Sequence, residues 1–357
     1  VSSSVSTALR ALRHRNFRLF TVGQSLSLIG TWMQQVAVGW LVYRLTDSAF
    51  LLGLVAFVSQ GPGFVLAPLA GVLADRFEKR RIVLITQTVM MVQAFTLAAL
   101  VLSDHITIPL IIALMAVLGA ATGFDIPARQ SFLIEMVGDK DDLPNAIALN
   151  SSMFNASRLL GPAIAGLLVA AVGEGLCILI NAISFVAVLA ALLALKLPPW
   201  QPRHARLDVA RNLAEGFRYA WDSRPMRNIL SLVAFSSFVA VPFTVLLPVV
   251  ASDILGGGAD TLGFLTSAVG LGALTGALYL AARTTVRGLG RVIAIAAAIF
   301  GVALIATGIS TSLALTLPLL AFAGFGMMVQ MASANTVLQT LVPDDKRGRI
   351  MSLYSMA

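Results

Sequence analysis

The chain has 357 residues, 58% hydrophobic and only 12% charged, with a net charge of +8. A soluble domain carries about 25% charged residues, so this composition leaves too little polar surface to cover a soluble core. The lone cysteine, Cys177, excludes an internal disulfide; His14, His105 and His204 are too scattered for a metal site, and there is no GxxxxGKS/T phosphate loop for an ATP-driven engine.

A spanning helix needs about 20 mostly apolar residues. In chain order the candidates are Leu19–Tyr43, Ser48–Ala74, Ile82–Leu102, Ile106–Leu133 and Leu143–Val172, followed by Leu176–Leu195. After a hydrophilic stretch come Asn228–Ser252, Thr261–Ala282, Val292–Ile309 and Leu313–Val342, and a further helix begins at Ile350. The runs are too long for barrel strands and lack sustained alternation. The expected class is an all-α polytopic membrane protein. The first apolar run is too long for a cleavable signal and stays as helix 1.

Lys and Arg placement sets the orientation. With the N-terminus in the cytoplasm, 22 of the 25 Lys and Arg residues fall in inner segments and only Arg44 in an outer one. Arg129 and Arg158 lie inside spans. The basic balance is therefore topogenic and calls for no nucleic-acid partner. Three regions follow: a bundle over residues 1–197, a cytoplasmic linker over 198–227, and a second bundle over 228–357. Within the linker, Leu207, Ala210, Leu213, Ala214, Phe217 and Trp221 recur at helical spacing, which predicts an amphipathic helix on the inner membrane surface. Met136-Val137-Gly138-Asp139 after helix 4 matches Leu341-Val342-Pro343-Asp344 after helix 10. Such internal repeats mark two-half secondary transporters.

After helix 2 comes Gly71-Val-Leu-Ala-Asp75-Arg76-Phe-Glu-Lys79-Arg80. This resembles the loop 2–3 signature of the major facilitator superfamily, matching at Gly71, Leu73, Asp75, Arg76, Lys79 and Arg80, with Glu78 in place of the second glycine. Gly71 lets a neighbouring helix approach closely. Asp75 ends helix 2, where the macrodipole is negative, so its carboxylate needs an outside partner. The resemblance implies an inner gate in which Asp75 meets the start of helix 11, here Ile350–Ser352, and Lys79 pairs with Glu135. It also implies two six-helix bundles, of which this sequence carries ten helices and the start of an eleventh.

Helices 4 and 5 are similar to the exporter branch of that superfamily, which takes siderophores, drugs and macrolides. The matching stretches are Gly123-Phe-Asp125-Ile-Pro127-Ala-Arg129-Gln130, Asn145–Ser152 and Asn155–Gly166. Gly161-Pro162-x-x-x-Gly166 is a partial form of the antiporter motif, with Ala165 where the fuller motif has glycine.

A charge at the membrane centre costs roughly 2.5–3.5 kcal/mol, so each requires a function or a partner. Asp125 and Arg129 share one face of helix 4, with a proline between them that kinks a helix. Asp125 lies roughly 15 Å from the inner end of its helix. It is the candidate proton-coupling residue, with Arg129 and Arg158 as candidate contacts for an anionic substrate. A structural Asp–Arg pair joining helices 4 and 5 fits the same spacing. In this superfamily helices 1, 4, 7 and 10 line the cavity. Candidate polar and aromatic contacts there are Trp32 and Gln34 on helix 1, and Gln330 and Asn335 on helix 10. Gln34 and Gln35 point in different directions, so at most one faces the cavity, and Gln34 is the choice. Gly119/Gly123 and Gly272/Gly276 have the spacing of helix-packing contacts.

The function expected is a secondary active exporter of a small organic molecule across the bacterial cytoplasmic membrane, working as a monomer by proton antiport. It needs neither cofactor nor metal. An importing symporter or facilitator is the alternative. A channel lacks the gate motif, and a membrane enzyme needs a clustered catalytic set that the scattered histidines do not supply.

Overall fold

The computed structural model describes residues 10–137, 140–197, 217–219, 221–283, 288–342, 350 and 354, with backbone alone at 64, 67–76, 140, 144, 155 and 159. Among them there is no strand. The helices are α1 (Arg15–Thr46), α2 (Ala49–Arg76), α3 (Lys79–Leu102) and α4 (Ile108–Met136). Leu143–Ala194 then runs as one element broken only at Gly173, whose φ of 83° and ψ of 170° are non-helical. We number its arms α5 (143–172) and α6 (174–194). The rest are α7 (Arg224–Val245), α8 (Ala259–Ala281), α9 (Leu289–Ile309) and α10 (Leu313–Leu341). Each of the ten stretches read as a span from the sequence is helical over most of its length. α1 starts before Leu19, and α7 starts at Arg224 and stops at Val245. A short turn, Leu247–Val249, and a π-helical turn, Val250–Ile254, complete that stretch.

Seven elements among the described residues are long and apolar enough to cross a membrane, and the one broken at Gly173 supplies two spans. Their outer faces carry Ile85, Ile183, Leu278, Val302 and Ile305, all exposed, as a lipid-facing surface requires. Hydroxyls inside the spans bond back to the preceding turn, as Thr31 does to the Ser27 carbonyl (2.8 Å) and Thr307 to Ala303 (2.8 Å). Bonded in this way, these two hydroxyls present no free donor towards hydrocarbon. α4 continues through Pro127 without a break.

The chain divides into two units, Val1–Ala205 and Arg206–Ala357. The first packs α1 and α3 to α6 around Phe17, Phe20, Phe132, Phe185 and Leu192, all almost fully buried. Phe20 and Phe132 meet edge to face at 6.3 Å. In the second, α8 and α10 approach so closely that a Cβ on Gly272 would fall 1.8 Å from the Ala321 carbonyl oxygen. Smaller clusters, Ala240 with Phe300 and Ala323, and Val233 with Ile293 and Ala334, join α7, α9 and α10. α4 and α10 are both 29 residues long and both end on an extended valine, Val137 and Val342. The repeat noted after these helices thus begins on equivalent backbone; Gly138, Asp139, Pro343 and Asp344 lie outside the described residues. So do residues 207–216 of the linker pattern. Phe217 and Trp221, at its end, stack at 5.7 Å.

Candidate functional site

Asp125 is the centre of the first unit's polar interior. It is 3% exposed, and α4 carries Arg129 one turn on, with Nε 3.0 Å from Asp125 Oδ2. α3 supplies the other donors: Thr86 Oγ1 and Gln87 Nε2 each donate to Asp125 Oδ1 at 2.9 Å. Its two oxygens thus accept from three donors on two helices. Sequence spacing had found Arg129. It had missed Thr86 and Gln87, whose only signal was the polar triplet Thr86-Gln87-Thr88 in the mostly apolar run Ile82–Leu102.

Towards the other end of the unit, Gln34 donates to Gln93 Oε1 (3.3 Å) and accepts from Asn181 Nδ2 (2.7 Å), tying α1, α3 and α6 together. Gln34 is 2% exposed, and its amide is occupied by these two bonds. The expectation that it faces an open cavity is corrected: the exposed glutamine is Gln35. Trp32, three positions before Gln35, meets the edge of Phe154 at 5.9 Å and 73°. The Arg158 guanidinium lies over the Trp32 ring, 5.7 Å from its centroid. Gly161 makes this approach possible, since a Cβ there would lie 2.4 Å from Trp32 Cβ and 2.9 Å from the Ile29 carbonyl oxygen. Pro162 and Gly166, next in the same motif, are buried.

In the second unit, Gln330 is fully buried and donates to Ser236 Oγ at 2.6 Å, joining α10 to α7. Asn335 accepts from Gln339 Nε2 at 2.7 Å. Of these two, only Asn335 keeps partial exposure.

The end of the first unit where α3 begins is basic. Lys79 Nζ forms an ion pair with Glu135, and Arg80 donates to the Leu192 and Leu193 carbonyls, both at 3.0 Å. Arg80 thereby satisfies orphan carbonyls at the C-terminus of α6, where a cation also suits the dipole. Glu78 is the N-cap of α3 and pairs with Arg81 at 2.7 Å. The side chains of Gly71, Asp75 and Arg76 lie outside the described residues, as do Met351 and Ser352, so the implied gate contact does too. A second cluster at this end was not foreseen. The buried Asp142, N-cap of α5, takes Arg13 and His14 at 2.7 Å each and also pairs with Arg10. Asn145 Oδ1 accepts from the Ala11 backbone at 2.9 Å. The hydrogen bond with His14, reinforced by the charges of Arg10 and Arg13, holds the Asp142 carboxyl below the usual aspartate range. At the opposite end Arg44 grips Glu174 with two bonds, 2.7 and 3.4 Å.

A buried acid, an arginine facing an indole and a basic signature loop on a helical scaffold describe a carrier, and known proteins agree. Residues 6–357 match the family described as transmembrane secretion effector. The chain belongs to that family, within the major facilitator superfamily. It is 26% identical to the staphyloferrin A transporter of Staphylococcus aureus over 95% of this chain and 85% of that protein. It is 28% identical to the multidrug efflux pump Tap of Mycolicibacterium fortuitum over 91% of this chain and 81% of the pump. The enterobactin exporter EntS of Escherichia coli is also 28% identical, over 96% and 81%. Among solved structures, an inward-facing bacterial homologue of the lysosomal transporter Spinster superposes with a TM-score of 0.72 at 15% identity, covering 96% of this chain and 79% of that one. A bacterial ferroportin homologue gives 0.64 at 16% identity, covering 96% and 88%. These structures share the fold.

The protein is thus a multi-pass membrane transporter for small molecules and not an enzyme. In this carrier Asp125 with Arg129 and Trp32 with Arg158 are drawn together inside the first unit. Gln34 and Gln330 go to helix–helix bonding.

Proposed function

We propose that the carrier exports a small organic molecule, siderophore- or drug-like, across the bacterial cytoplasmic membrane by proton antiport and alternating access. Its basic end and N-terminus face the cytoplasm, in keeping with the positive-inside rule. It works as a monomer of two bundles, residues 1–197 and 228–357, connected by the linker 198–227. The carrying observation is Asp125, an acid buried in a span and bound to Arg129. Intramembrane acids of this kind mark proton relays. A proton arriving at Oδ2 discharges the carboxylate and removes the attraction that holds Arg129. Oδ1 still accepts from Thr86 and Gln87. Charge on Asp125 is thereby converted into freedom of Arg129, a two-state element that a proton gradient biases. Arg158 and Trp32 contact the substrate. The gating motif Gly71, Asp75, Arg76, Lys79, Arg80 and Glu135 closes the cytoplasmic side. Export as the direction is supported by the relatives named as exporter and efflux pump.

The test is Asp125→Asn, assayed for uphill efflux under an imposed proton gradient and for labelled-substrate counterflow in proteoliposomes. Uphill transport should vanish while counterflow persists. Gradient-driven efflux at the wild-type rate in that variant removes Asp125 from coupling. Import by symport or facilitation remains the second reading, because one relative is named a transporter without a direction. Accumulation down the imposed proton gradient, rather than against it, selects that reading.

A further inference from the structure

The two arginines inside the spans differ in their surroundings. Arg129 is neutralised by Asp125 at 3.0 Å. Arg158 has no acidic partner among the described residues; the contact described for it is the face of Trp32, 5.7 Å away. It is also exposed, as is Phe154 one turn earlier on α5. An exposed arginine directed at hydrocarbon is disfavoured by roughly 2.5–3.5 kcal/mol. Ser151, two turns before Arg158 on α5, is exposed as well, and a stripe carrying both is suited to water and not to lipid.

The chemistry of the three side chains is specific. A cation over an indole face keeps its guanidinium plane oriented. Its N–H fork, held beside the ring, is free to bind a carboxylate-like group through two parallel bonds. Trp32 and Phe154, set at 73°, give two steeply inclined aromatic walls next to that fork. Gly161 fixes the geometry by letting the α1 backbone close on α5. We infer that Trp32, Phe154 and Arg158 form a recognition subsite for a planar aromatic anion, an arene bearing a carboxylate, a sulfonate or an ionised phenol. The inference rests on the transport reading above in taking the occupant to be the carried substrate. A cationic ligand meets a like charge with no acidic partner among the described residues. An aliphatic anion satisfies the fork but forgoes the ring contacts.

The test is binding of labelled 2-naphthoate to the purified chain in nanodiscs, without any gradient. Competitors are the neutral 2-naphthamide, the saturated decalin-2-carboxylate and the cation 2-naphthylmethylammonium. The subsite predicts that the amide and the cation bind more than about tenfold weaker, from loss of the charge-assisted bonds. Decalin-2-carboxylate should be about two- to tenfold weaker. Arg158→Gln should weaken naphthoate by about 10- to 100-fold, with partial rescue by Arg158→Lys. If Arg158→Gln does not accumulate, Phe154→Leu and the wild-type competitor series decide. Equal affinity for naphthoate and naphthamide, no naphthoate binding, or unchanged affinity in Arg158→Gln overturns the inference. The exporter reading fails separately: selective naphthoate binding with accumulation down the proton gradient refutes export and leaves the subsite standing.

Discussion

A single methyl group placed on Gly161 should separate the helices that bring Trp32 to Arg158. The added Cβ would lie 2.4 Å from Trp32 Cβ, 2.9 Å from the Ile29 carbonyl oxygen and 3.3 Å from the Met33 nitrogen. Non-bonded carbons settle at about 3.5–4.0 Å, so α1 and α5 must part by about 1–1.5 Å. The atoms in the way are backbone or a Cβ, and no rotamer change moves them. Overpacking of this kind costs about 1–3 kcal/mol, against a helix-propensity gain of about 1 kcal/mol for Gly→Ala. Gly301 on α9 is the matched control, because a Cβ there meets nothing within 4 Å. Both variants gain the same propensity, so their difference isolates the clash. Unfolding free energies from denaturing-detergent titration of the purified carrier should place Gly161→Ala about 1–3 kcal/mol below Gly301→Ala. A gap under about 0.5 kcal/mol, the scatter of an ordinary surface substitution, would refute the claim that Gly161 sets the α1–α5 distance.

Three further outcomes are expected. Gln34→Leu strands the Asn181 amide and the Gln93 carbonyl oxygen; it should destabilise by about 1–3 kcal/mol in the same titration and leave naphthoate affinity unchanged, whereas a ligand role for Gln34 would move the affinity. The Lys79–Glu135 pair is partly exposed and contributes at most about 1 kcal/mol to stability; Lys79→Glu should nonetheless impair transport by setting two acids against each other, and the exchange Lys79→Glu with Glu135→Lys should recover it in the efflux assay. Because the folded-state pKa of Asp142 is depressed, its stabilising contribution is full above the ordinary aspartate pKa of about 4 and is lost as pH falls through the folded value. Melting temperatures should therefore show a constant gap between wild type and Asp142→Asn near neutrality, closing in acid.

The spans were legible because a helix in lipid must bond its own backbone and cover itself with apolar side chains. That requirement writes long uninterrupted runs such as Val292–Ile309. Local pairs were legible too: four residues separate Asp125 from Arg129, and helical geometry leaves them adjacent. The long-range Lys79–Glu135 contact was accessible only through the resemblance. What stayed hidden depended on rotation about a helix axis. Gln34 and Gln35 are neighbours in sequence, and nothing local says which one faces Asn181. Likewise Thr86 and Gln87 are ordinary polar residues until α4 is packed against α3. Arg10 and Arg13 read as topogenic charge, which conceals that Asp142, more than 120 positions on, draws both of them together with His14.

The Gly173 break has a mechanical consequence. One residue, in a conformation that side chains rarely adopt, is all that joins two membrane spans. Consecutive Cα atoms are about 3.8 Å apart, so the elbow has almost no slack. Directly after it, Glu174 is clamped to Arg44 at the end of α1. The ends of α1, α5 and α6 therefore form a single stiff corner. A swing of α5 against α6 has only Gly173 to turn on, one residue from that clamp.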